Sequence, residues 1–209
     1  MQFSYRANPN LPIVKHYGIS DKIKTELQEK CKVICFTRDD PKLSKTTTNK
    51  ILYRGFVYPR MWAQYANNHT GVCLVFDKII LSSNIRRIYE GSVKYTKRVG
   101  YINAFSLDCE MIDRLGSERF IKYHIKKYYK TLLFEKLQDW KSKLEYRWIL
   151  VSPSTNYEYF SVLGAIKGIV LGVDFPEKYV PQVVQCSREF KVPVIQLDWH
   201  NGYPTPLTL

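Results

Sequence analysis

The chain has 209 residues and a formal net charge of +13, from 32 Lys and Arg against 19 Asp and Glu. With 45% hydrophobic residues it has material for a core, which excludes a disordered polyelectrolyte. No apolar run approaches the ~20 residues needed to cross a bilayer, and the first residues (MQFSYRANPN) lack the apolar stretch of a signal peptide. The expectation is one cytoplasmic domain over 1–209, with no membrane partner. Residues 31–60 carry +5 and 86–147 carry +7, whereas 148–209 carry −1. A basic excess placed in this way points to a polyanionic partner such as nucleic acid, or else to a solvated face that keeps the protein soluble. The five cysteines are odd in number and scattered, so no zinc spacing arises and no metal is expected; reduced, buried thiols are the simple reading.

Residues 20–30 (SDKIKTELQEK) form a helix by pattern, with Ser20 or Asp21 as cap and Ile23, Leu27 and Cys31 on one face. CKVICFT (31–37) alternates as a strand, and 38–50 has loop composition. A helix follows over 58–68 with Pro59 in its first turn, then a turn at 69–71 and a strand at 71–77. Residues 85–95 read as one or two strands with Gly91 at a bulge or turn. Residues 106–136 are mostly helical with a break at Gly116–Ser117. In the second piece Ile121, Ile125, Tyr128 and Leu132 share one face, and Arg119, Lys122, Lys126 and Lys130 share another, with Tyr123 beside them. That stripe is either a phosphate-tracking surface or the ordinary solvent side of an amphipathic helix. Strands are expected at 144–151, 165–175 and 192–199, a helix at 176–190 and an irregular tail at 201–209. This order gives an α+β fold: a mixed, mostly antiparallel sheet with flanking helices.

No nucleotide-binding, zinc-protease or serine-hydrolase motif is present, and the four histidines are far apart. Two clusters carry potential chemistry. In MWAQYANNHTGVCLVF (61–76), Trp62 and Tyr65 serve either as stacking platforms for a base or nicotinamide, or as core residues. In WKSKLEYR (140–147), Glu145 and Arg147 share one side of a strand. Glu145 is either a carboxylate aimed into a cleft, able to stabilise a positively charged sugar-like transition state, or half of a surface ion pair.

These clusters resemble the bacterial domain-of-unknown-function family 2971. The resemblance rests on Cys35, Phe36 and Thr37, then Met61, Trp62, Tyr65, Ala66, His69, Gly71, Cys73 and Phe76, then Lys136, Trp140, Glu145 and Arg147, in order within about 31–172. The family's Asn-Asp-Pro segment is missing, so the N-terminal part looks shortened, and Lys143 stands where the family has the first glutamate of Glu-x-Glu. The family's layout is in turn similar to ADP-ribosyltransferase folds. That likeness implies NAD cleavage or ADP-ribosyl transfer, as a toxin or phage-defence effector. Glu145 would be catalytic, Arg6 or His16 would bind the diphosphate or ribose, and Trp62, Tyr65, His69 and Arg147 would complete the cofactor site. The competing expectations are a nucleic-acid-binding module acting through Arg119, Lys122, Lys126 and Lys130, and a non-catalytic accessory subunit that binds another protein.

Overall fold

The computed structural model describes residues 4–6, 16–97 and 104–209. The strands are β1 (Ser4–Arg6), β2 (Cys31–Thr37), β3 (Val72–Phe76), β4 (Ile88–Ser92), β5 (Lys94–Thr96), β6 (Ser106–Asp108), β7 (Glu135–Leu137), β8 (Glu145–Val151), β9 (Ile166–Leu171), β10 (Val194–His200) and β11 (Tyr203–Thr208). The helices are α1 (Ile19–Lys30), α2 (Pro59–Tyr65), α3 (Lys78–Ser83), α4 (Cys109–Leu115), α5 (Ser117–Phe134) and α6 (Val180–Phe190). The fold is α+β, and the ladders β3–β9, β4–β8 and β10–β11 are antiparallel. No helix among the described residues is long and apolar enough to cross a membrane.

The chain divides into two compact units. The first comprises Met1–Phe36, Ile88–Lys141 and Glu145–Glu158. It contains the sheet β2-β8-β4 and the parallel pairs β1-β6 and β5-β7. Ile19, Ile23 and Leu27 of α1 pack with Phe120, Ile121 and Leu132 of α5, Leu107 of β6 and Ile149 of β8. This is the apolar face read from the 3.6-residue period, and each such side chain removed from water contributes about 1.5–3 kcal/mol. The expected cap of α1 is replaced by Gly18 in a left-handed conformation (φ 89°), and Asp21 instead pairs with Lys24 at 2.8 Å. Gly116 (φ 76°) makes the break between α4 and α5. Gly91 is neither bulge nor turn: it lies in mid-strand opposite Arg147, and a Cβ there would meet the Phe134 ring at 3.5 Å.

The second unit comprises Thr37–Arg87, Ser142–Leu144 and Tyr159–Leu209. Its sheet runs β11-β10-β9-β3. Alternate residues of β9 face opposite sides. Val170 packs with Trp62 of α2 and Leu197 of β10, whereas Ile169 and Leu171 pack with Val180 and Val183 of α6. The tail expected to be irregular is β11, turned back on β10 through Asn201 and Gly202, both at positive φ (52° and 81°). Asn-Gly is the residue pair that a tight hairpin turn of this hand favours. The loop 38–50 is tied down rather than loose: Asp39 accepts from the Gly55 N–H at 2.8 Å and pairs with Arg54 at 2.9 Å.

The α2–β3 turn closes on β9 at one tight point. The Gly172 N–H donates to the Gly71 carbonyl at 3.1 Å, and the Asp174 N–H donates to the His69 carbonyl at 3.2 Å. A Cβ on Gly172 would overlap that same His69 carbonyl, which is backbone and cannot swing aside. Gly172→Ala is therefore expected to destabilise the protein by about 1–3 kcal/mol, read as a lowered urea midpoint with an unchanged m-value.

Candidate functional site

Glu145 begins β8 and is only 5% exposed. Its carboxylate is held from several sides within the first unit. Lys136 Nζ of β7 lies 2.7 Å from Oε2, and Arg147 Nε lies 2.6 Å from Oε1. The Cys35 thiol of β2 also donates to it. The Glu145 backbone N–H donates to the Tyr95 hydroxyl of β5 at 3.0 Å, and Arg147 Nη1 donates to the Leu133 carbonyl in the last turn of α5. Burial alone pushes the Glu145 carboxyl up, but the hydrogen bonds from Lys136, Arg147 and Cys35 together outweigh it and hold the carboxyl below its usual range. Glu145 is thus ionised at neutral pH, and its charge is already matched. The side of β8 that carries Glu145 and Arg147 also carries the fully buried Ile149, so the pair is not a surface ion pair.

The expected strand start at 144 also shifts. Leu144 has a left-handed backbone (φ 44°), so the alternation that would set Lys143 beside Glu145 is interrupted. Lys143 closes the 3-10 turn before it, is itself buried, and gives its ammonium to the Tyr65 hydroxyl while lying 4.4 Å from that ring's centroid. Within the second unit, Tyr65 is exposed, but Trp62 is 2% exposed and its indole N–H donates to the Phe56 carbonyl at 2.6 Å. Trp62 takes the core role of the two weighed for it. His69 (φ 69°) sets its ring 5.2 Å from that of Trp199 in an edge-on contact. His16, in the first unit, is buried with Nε2 3.6 Å from the Asp113 carboxylate. Arg6 ends β1 opposite Asp108, and its side chain lies outside the described residues.

The α5 helix has two distinct faces. Phe120, Ile121, His124 and Leu132 are buried. Burial pushes the His124 pKa down, against the opposing effect of the Nε2 hydrogen bond to the Ala104 carbonyl at 2.8 Å. On the other face Arg119, Lys122, Lys126 and Lys130 are all exposed. No carboxylate among the described residues pairs with any of the four. Their spacing carries the stripe over three turns of helix, roughly 16 Å of axis.

Cys31, Cys35 and Cys73 are poor nucleophiles. Burial pushes Cys73 up to about 11 and raises Cys31 and Cys35, and the Glu145 hydrogen bond and charge raise Cys35 further. The expectation that every cysteine is buried holds only at Cys109: Cys31 and Cys73 are half-buried, and Cys35 and Cys186 are exposed. In one sequence nothing links Cys35 or Tyr95 to Glu145, since all three lie on separate strands far apart in the chain. Lys136 was legible only through the resemblance.

Because the folded Glu145 carboxyl titrates below its unfolded value of about 4.3, its contribution to stability is present above that pH and is lost as pH falls through the folded pKa. Glu145→Leu leaves Lys136 and Arg147 without their shared counter-charge and is expected to cost about 3–5 kcal/mol at pH 7. The gap between wild type and variant should narrow below pH 4, as measured by urea unfolding across pH.

Residues 61–148 match the family model described as a protein of unknown function, DUF2971. The matched segment runs from α2 to the middle of β8 and so includes the α5 stripe, Lys136, Glu145 and Arg147, while 31–60 and 149–172 fall outside it. No curated protein and no solved structure matches the chain. Over residues 61–148 the chain is similar to the DUF2971 family.

Proposed function

We propose that the protein binds nucleic acid through the outer face of α5. The observation that carries this reading is the row of four exposed cations, Arg119, Lys122, Lys126 and Lys130, with no carboxylate paired to them among the described residues. Unpaired cations on a rigid helix keep their full attraction for phosphates. Each phosphate neutralised releases a condensed counterion, so binding falls steeply with salt. The inner face of α5 is anchored by Phe120, Ile121 and Leu132, which holds the stripe in one geometry without a ligand. Lys122→Ala, Lys126→Ala and Lys130→Ala combined are expected to reduce the slope of log K against log salt by roughly 2–3 and to weaken oligonucleotide binding across sequences. Fluorescence anisotropy at stepped salt concentrations reads this. Binding that is indifferent to salt would remove the proposal.

A second reading is NAD cleavage or ADP-ribosyl transfer in a cytoplasmic bacterial toxin or phage-defence effector. The depressed carboxyl of Glu145 favours it, since an ionised carboxylate can hold a ribose hydroxyl and face the positive charge left as nicotinamide departs. NAD would supply the glycosidic bond. Two groups assigned to it are engaged elsewhere: Trp62 in the core and His16 on Asp113. Arg147 lies beside Glu145 in the first unit, whereas Tyr65 and His69 belong to the second. Glu145 would have to loosen its bonds to Lys136 and Arg147 before it could engage a substrate, which ranks this reading second. It predicts nicotinamide release from NAD that is abolished in Glu145→Gln, followed by mass spectrometry, with circular dichroism confirming that the variant is folded.

A further inference from the structure

We propose that the ligand of the α5 stripe, which rests on the nucleic-acid reading above, is single-stranded, and that Tyr123 and Tyr89 are the surfaces on which its unpaired bases stack. At about 100° per residue, Lys122, Lys126, Arg119 and Lys130 fall within a narrow sector of the α5 circumference. Tyr123 borders that sector on one side and Tyr129 on the other. Tyr129 is not the exposed ring of its border. Tyr89 of β4 lies against it, ring centroids 4.9 Å apart and tilted by 44°. Tyr89 and Gly91 share one side of β4, and Gly91 meets Phe134 of α5, which fixes Tyr89 on the helix side of that strand.

Both bordering rings are open to solvent, Tyr123 at 39% and Tyr89 at 45%. The Lys127 ammonium sits 5.4 Å from the Tyr123 ring centroid and 5.2 Å from that of Tyr128, which adds a fifth positive charge beside the stacking surface. A track of cations with an exposed aromatic ring on each side is the arrangement that follows a sugar-phosphate backbone while its bases splay outward. In a duplex the bases are already stacked on one another and present edges rather than faces, so the two rings would add nothing to duplex binding. The stripe alone would then treat both forms alike; the tyrosines are what separate them.

The test compares a labelled single strand and a duplex of equal length by fluorescence anisotropy at matched salt. Tyr123→Leu and Tyr89→Leu should each weaken single-strand binding about fivefold or more, with the salt slope and the duplex affinity unchanged. Tyr123→Phe, which keeps the ring and loses only the hydroxyl, should bind like wild type. Duplex bound as tightly as single strand, or folded Leu variants that bind the single strand as wild type does, would overturn the single-strand assignment. Loss of both ligands in the triple lysine variant would still uphold the stripe in that case. Both ligands bound by that variant as before would overturn the stripe as well.

Discussion

The first unit depends on the buried carboxylate of Glu145. One side chain at the head of β8 is bonded to Lys136 of β7, Arg147 of β8 and Cys35 of β2, and its backbone N–H reaches Tyr95 of β5. Arg147 carries the link on to the last turn of α5 at Leu133. A carboxylate buried this far is tolerable only because two cations and a thiol satisfy it, and each of those cations would be costly without it. The network ties the head of β8 to β7 and to the last turn of α5 through charge-assisted hydrogen bonds.

That arrangement also explains why the cationic stripe and the acidic cluster play different parts. Lys136 and Arg147 are spent on Glu145, and their charge does not project to solvent as a free field. Arg119, Lys122, Lys126 and Lys130 sit on the same unit with no such partner among the described residues. The Glu145–Arg147 bonds and the apolar inner face hold α5 at both its end and its length, so the stripe is a preformed surface. Binding to it would require little ordering of the protein, which favours affinity over adaptability.

The second unit is built by different means. Its sheet is covered by α2 on one side and α6 on the other, through Trp62 against Val170 and Leu197, and through Val180 and Val183 against Ile169 and Leu171. The sequence pattern anticipated those strands because central strands covered on both faces read as continuous apolar runs. The hairpin that adds β11 escaped that reading, because Pro204 and Pro206 suggest irregular chain. In an edge strand, however, proline is tolerated wherever its missing N–H faces outward. The Leu209 N–H donates inward to Val194, and by alternation the N positions of Pro204 and Pro206 face away from β10.

The α+β class, the placement of α1, α5 and the main strands, the break at Gly116 and the two faces of α5 were all determined by the sequence itself. Each follows from a local period or a backbone preference that needs no distant partner. The surroundings of Glu145, Trp62 and Gly91 were decided only by the tertiary structure. Whether Glu145 lies at the surface stays open until Cys35, Tyr95 and Lys136 arrive from other strands. Trp62 reads equally as platform or core until Val170 and Leu197 cover it, and Gly91 reads as a bulge or turn until the β4–β8 ladder sets it in mid-strand opposite Arg147. A residue's intrinsic chemistry is written in the chain, but its free energy and availability depend on neighbours that the chain brings together only by folding.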